Sequence, residues 1–270
     1  MVGVNTSAII KKLKYLVSTY DSRNSWWEYA IKRYDIFMGY VRPHYLKHSN
    51  YNYQSLLKNI DFIKELRKLL EAFGMNRRGS VLMKLEVFLD TISQTSQDFN
   101  LLAQANIRLE NLNLKHKIGE ENVSSIISRI YDLFSHLNRL SLSGGIVIAS
   151  KTMHMIMPEL FIMIDGRIMK KLHKISDYHP HPNDGKSWYD VIPRYSGYKM
   201  NPYPGYAWDF DQCYLAALMY YKRIILEWCQ WNNTNIESFL EIGLRTVTTD
   251  KSITIKVRST TARIIDMALW

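Results

Sequence analysis

Apolar residues recur every three or four positions through most of the first 140 residues, and that period fixes the fold class before any motif is read. Ile9, Leu13, Leu16, Val17 and Tyr20 form one stripe, and Leu56, Leu57, Ile60, Ile63, Leu66, Leu69 and Leu70 form another. Such spacing puts side chains on one helix face, where they are buried together. Turn chemistry interrupts the pattern at 21–24, at Arg42-Pro43, at 74–79, at 96–100 and at Gly119. These breaks predict about six helices before Gly144.

Further along, a helix over 120–140 leads into a Ser-Leu-Ser-Gly-Gly turn at 141–145, and an apolar helix over 146–157 is stopped by Pro158. A short extended piece at 161–164 delivers Asp165. The run 166–172 reads as a helix, so Asp165 sits where an N-cap is expected. Five of the seven prolines then fall within 180–204, which predicts a long loop. A long helix is expected over 209–231, then one over 234–244 with Thr234 as cap and Glu237 completing a capping box. Residues 246–257 alternate as a short hairpin would, the one credible strand pair, and 259–270 reads as a closing helix.

With 270 residues, 47% apolar and 22% charged, the chain has enough material for a full core and is not a disordered or low-complexity polymer. Lys and Arg number 35 against 25 for Asp and Glu, a net charge of +10, which favours polyanionic partners. Nucleic acid is the leading class. Cys213 and Cys229 alone support neither a disulfide framework nor a four-thiolate zinc site, so a reducing, intracellular compartment is expected. The most apolar stretch, 144–164, contains Lys151, His154, Pro158 and Glu159, which argues for a buried hairpin and against a membrane span. No signal peptide is evident at the N-terminus.

The run 140–154, Leu-Ser-Leu-Ser-Gly-Gly-Ile-Val-Ile-Ala-Ser-Lys-Thr-Met-His, followed by 161–172, Phe-Ile-Met-Ile-Asp-Gly-Arg-Ile-Met-Lys-Lys-Leu, gives helix, Gly turn, helix, then Asp at the start of a third helix. This order resembles the core of the helix-hairpin-helix DNA glycosylase superfamily, and within it the 8-oxoguanine glycosylase fold, archaeal forms included. The closing run Ala-Arg-Ile-Ile-Asp-Met-Ala-Leu-Trp at 262–270 is similar to the Asp-x-x-Leu-Trp end of those archaeal enzymes. The resemblance implies a mainly α fold: a two-lobed helical bundle with a helix-hairpin-helix element, to which the alternation adds one short β-hairpin near the C-terminus. On this reading one globular unit, 1–270, divides into a helical lobe at 1–119, the helix-hairpin-helix core at 120–176, the Pro/aromatic loop at 177–208 and the C-terminal helices at 209–270.

The implied partner is duplex DNA with a flipped base, and the implied activity is excision of a damaged base, in a monofunctional manner, with neither cofactor nor metal. Asp165 would then activate water or stabilise charge developing on the sugar. As an N-cap alone it would be structural. Gly144, Gly145 and Ile146, at a helix start, would hold a DNA phosphate through their N–H groups. Arg167, Lys170 and Lys171 join them as DNA-binding candidates, although a solvated basic face accounts for the lysines equally well. The family's bifunctional members carry a Schiff-base Lys where this chain has 144–147. Lys151, 14 residues before Asp165, is the available amine, to be read as nucleophile, as phosphate contact or as partner of Asp165.

Trp188, Tyr195, Tyr198, Tyr206 and Trp208 crowd the Pro-rich segment among basic residues, as a stacking pocket for an unpaired base requires; packing on the core is the plainer explanation. His173, Asp177, His179, His181 and Asp184 match no common zinc spacing. Two rival readings remain: a nucleic-acid-binding protein that keeps the fold without the chemistry, and an α-helical ribonuclease of a defence system using Arg129 and His136.

Overall fold

The structure is a computed structural model that describes residues 7–75, 81–114, 116–118, 124–142, 145–165, 168, 199–203, 206–209, 214–248 and 254–269. Helices dominate it, as the periodicity predicts. Before Gly144 the described residues form nine α-helical segments, more than the six expected: α1 (Ser7–Ser18), α2 (Tyr20–Arg23), α3 (Glu28–Ile36), α4 (Arg42–His48), α5 (Tyr53–Leu56), α6 (Ile60–Ala72), α7 (Leu85–Gln94), α8 (Ser96–Gln104) and α9 (Ile126–Leu137). The excess lies in one-turn pieces, too short to leave a periodic signature. Residues 96–100, expected as a break, begin α8; the turn is at Thr95 alone.

The expected break at Arg42-Pro43 does not occur. A π-helical turn, Phe37–Val41, carries α3 into α4 without interruption, and Arg42 N–H bonds to Phe37 O, five residues back. In an α-helix the ring of Pro43 would strike the carbonyl four residues earlier and leave a bond unmade. The wider π turn relieves that clash, so a proline that ends ordinary helices is accommodated here.

After α9 a 3₁₀ turn, Asn138–Leu140, leads to α10 (Ile146–Ile156), then α11 (Ala216–Trp231), α12 (Ile236–Glu241) and α13 (Thr261–Leu269). The predicted long helix thus starts at Ala216 and not at 209. The cap of α12 is Asn235, whose side chain accepts from Ser238 N–H, and not Thr234. Among the described residues three two-stranded antiparallel ladders stand where a single pair was expected: β1 (Lys117–Ile118) with β2 (Ser124–Ser125), β3 (Lys199–Tyr203) with β4 (Tyr206–Asp209), and the predicted C-terminal hairpin β5 (Leu244–Thr248) with β6 (Thr254–Arg258). The β3–β4 ladder occupies part of the stretch expected as loop.

One apolar cluster runs from Ile10 to Leu269, with α10 at its centre and both α1 and α13 packed into it. Arg245 pins β5 to the helices by ion pairs to Asp21 (2.7 Å) and to the buried Asp35 (3.1 Å). Opposite it, β6 lies directly on the π turn. A Cβ placed on Gly39 would stand 2.6 Å from Val257 Cγ2 and 3.1 Å from Ile255 Cδ1. Val257 is buried and branched and has nowhere to move. Gly39→Ala is therefore expected to destabilise the fold by about 1–3 kcal/mol through overpacking, read as a lower urea midpoint at unchanged m-value.

Candidate active site

The site is built around α10, a helix without a polar face. Its Ser150, Lys151, Thr152 and His154 are all buried, so each needs a partner inside the core. Ser150 Oγ accepts from Ile164 N–H (3.1 Å) and donates to Ile164 O (3.2 Å), clipping the extended segment that ends at Asp165 alongside the helix. Tyr214 donates to Ile162 O from the other side (3.4 Å). Asp165 is thereby delivered beside Lys151. Its Oδ1 accepts from Ile168 N–H at 3.0 Å, the predicted capping bond.

Lys151 is only 5% exposed. Its Nζ donates to Phe73 O at 3.4 Å and stands 5.4 Å above the Phe73 ring. Burial lowers its pKa from the ordinary lysine value, and the neighbouring charge of Asp165 opposes that shift without reversing it. An amine this enclosed is not a surface phosphate contact; it shares a cavity wall with Asp165, and its Nζ bonds to Phe73 O. The 14-residue spacing closes because the chain turns at Pro158 and runs back along α10.

Asp266, on α13, completes the cluster. Its Oδ1 accepts from Tyr221 OH at 2.9 Å, and no described residue bonds its Oδ2. Burial pushes its carboxyl up to about 8, with Asp165 adding to the shift, while Arg263, Tyr221 and the Met163 N–H work against it. Near neutral pH Asp266 is the acid and the more exposed Asp165 stands beside it. Lys151, Asp165, Asp266, Arg263, Phe73 and Met163 line a cavity of about 10 Å³, room for one water molecule.

Arg263 sits behind this pocket, 2% exposed. Its guanidinium donates to Tyr20 OH (3.0 Å) and lies 4.9 Å from the Tyr20 ring and 4.4 Å from the Tyr34 ring. Tyr34 OH in turn donates to His154 Nε2 at 2.5 Å, because His154 Nδ1–H is held by Phe161 O at 2.6 Å and leaves Nε2 as acceptor. Burial lowers the His154 pKa to about 3, so the ring is neutral.

Of the other expected site residues, Gly145 takes a positive φ of 116° at the head of α10, and its N–H donates to the Asn138 side chain. That donor is thus committed within the protein, and Gly145 does not offer it to a phosphate as the sequence reading expected. Ile146 begins α10 as predicted. Tyr206 and Trp208 lie on β4, paired in register with Tyr203 and Met200. Gly144, Arg167, Lys170, Lys171, Trp188, Tyr195 and Tyr198 lie outside the described residues, as do His173, Asp177, His179, His181 and Asp184. Arg129 is ion-paired to Asp98 at 2.8 Å, and His136 Nδ1 bonds back to Asp132 O, so both members of the ribonuclease pair have local structural partners.

Sequence reasoning missed Arg263 and Asp266 as site residues, although a charged pair three apart inside an otherwise apolar helix is a legible sign of an internal polar cluster. Comparison with protein families, curated proteins and solved structures returns no match.

The titration of Asp266 has a sign that stability measurements read directly. Its carboxyl ionises near 3.8 when unperturbed and near 8 in the fold. The folded state therefore binds the proton more tightly, and the resulting stability is present in full below the unfolded value and is lost as pH rises through about 8. Asp266→Asn cannot ionise. Between about pH 6 and pH 9 its unfolding temperature is expected to fall less steeply than that of the wild type; parallel slopes would contradict the assignment.

Proposed function

We propose that this chain is a DNA glycosylase-type enzyme that excises a base, with its reaction centre in the pocket between Lys151, Asp165 and Asp266. One observation carries the reading: a half-exposed carboxylate and a desolvated amine from separate elements line the same water-sized cavity. A lysine whose basicity burial has lowered, lining a cavity with a carboxylate, is the type of perturbed group that marks candidate functional sites. The net charge of +10 suits a nucleic-acid partner.

In this reading the bond between C1′ of an extruded nucleotide and its base breaks, and positive charge grows on the sugar opposite the Asp165 carboxylate. Water in the pocket passes one proton to Asp165 while its oxygen bonds to C1′, and Asp165 hands that same proton on to the departing base, which leaves the carboxylate as it began. A second reading, in which the Lys151 amine bonds to C1′ as the base leaves and its two protons pass to the base and to O4′ as the sugar ring opens to an imine, is favoured by the depression of its pKa through burial. Reduction by borohydride distinguishes the two, since only an imine is trapped on the protein.

The test is base release from duplexes carrying an oxidised, deaminated or alkylated base. Wild type is expected to release one of them, and Asp165→Asn to lose at least about a hundredfold in rate while binding the duplex almost as tightly. A covalent adduct that disappears in Lys151→Ala selects the amine. Salt-sensitive duplex binding with no base released would replace this reading by that of a non-catalytic nucleic-acid-binding protein.

A further inference from the structure

A second cavity, of about 90 Å³, opens where the π turn, the Pro158 bend and the start of α13 meet. It is larger than the first by enough to hold several waters or one small polyatomic ion. Arg42, Arg258, Ser259 and Thr260 give it polar walls, and Met38 and Val257 apolar ones.

Arg42 is the unusual member. It is 7% exposed, and its guanidinium is fixed on two sides: Nε donates to Ile156 O at 2.9 Å, and Nη2 donates to Tyr53 OH at 2.7 Å and to Glu159 Oε2 at 2.9 Å. No described residue accepts from its Nη1. A guanidinium keeps its charge in any protein environment, and Nη1, which is not among the buried atoms left without a partner, remains open to solvent and so to an incoming acceptor. Ser259 is 6% exposed, and its hydroxyl is not among the buried side-chain atoms left without a partner, so it too is open to solvent. Arg258 directs Nη2 to Glu237 and Glu241.

The third contribution is the positive end of α13. Thr260 O accepts from Ile264 N–H, and Thr260 Oγ1 accepts from Arg263 N–H, so Thr260 is the N-cap and the helix begins at the cavity wall. Partial positive charge at a helix start, a buried fork of N–H donors and a free hydroxyl are three complementary means of holding an anion. Apolar walls strengthen all three by excluding water.

We propose that this cavity is a binding site for a tetrahedral oxyanion, a phosphate group, held by Arg42 Nη1, the Ser259 hydroxyl and the N-terminal end of α13. Glu159 stands at the rim with a partly exposed carboxylate on Arg42. It compensates the guanidinium in the empty site and opposes the incoming anion. The site does not depend on the base-excision reading. Its phosphate comes either from the solution or from a nucleic-acid backbone.

Inorganic phosphate titrated into the full chain at constant ionic strength, followed through the amide resonances of 259–262 or by calorimetry, is the test. Saturable binding is expected, weakened several-fold by Ser259→Ala and tightened several-fold by Glu159→Gln, two exchanges with opposite signs at positions that tolerate them sterically. A short undamaged duplex that competes with phosphate assigns the site to a backbone phosphate, and one that leaves phosphate affinity unchanged assigns it to the free ion. Absence of saturable binding, or binding indifferent to both substitutions, would overturn the proposal.

Discussion

A guanidinium that cannot lose its proton is buried at Arg263, and much of the surrounding architecture answers to it. Two tyrosine rings face the cation, one hydroxyl accepts from it, and Asp266 lies a turn away on the same helix. Such a cluster is costly if any member is left without compensation, because the interior screens charge poorly. The compensation here is mostly aromatic. Arg263 opposes but does not overcome the effect of burial on Asp266, whose carboxyl is pushed up to about 8.

The π turn has a comparable reach. By taking one residue more than an α-turn, it lets Pro43 pass, brings Gly39 against β6 and turns Arg42 into the interior instead of toward water. The larger cavity is then bounded by residues on both sides of this single irregularity, since Tyr34 precedes it and Arg42 follows it and reaches Glu159. Local irregularities of this type recur at functional positions because they re-aim side chains without ending the helix.

The amphipathic stripes were legible because burial of one helix face leaves a period in the sequence, and Asp165 was legible because a cap before an apolar helix has a local signature. Lys151 stood out as a charge inside an apolar run, but its role was not, since that required knowing that the chain doubles back at Pro158. Pro43 misled for a definite reason: the rule that proline ends a helix assumes α-type hydrogen bonding. The β3–β4 ladder was hidden by Pro202 and Pro204, residues that ordinarily mark loops. Arg42 with Glu159, and Arg263 with Tyr20, join positions more than a hundred residues apart, and no short-range pattern encodes such meetings.

Those separations also bear on when the molecule becomes competent. Tyr20 and Arg263 are 243 residues apart, and Tyr34 and His154 are 120 apart, so the polar cluster closes only after long loops have been drawn together. In the unfolded chain Lys151 is in contact with water and keeps the basicity of an ordinary lysine. The lowered basicity of its amine is therefore acquired on folding, and an unfolded chain carries the residue without it.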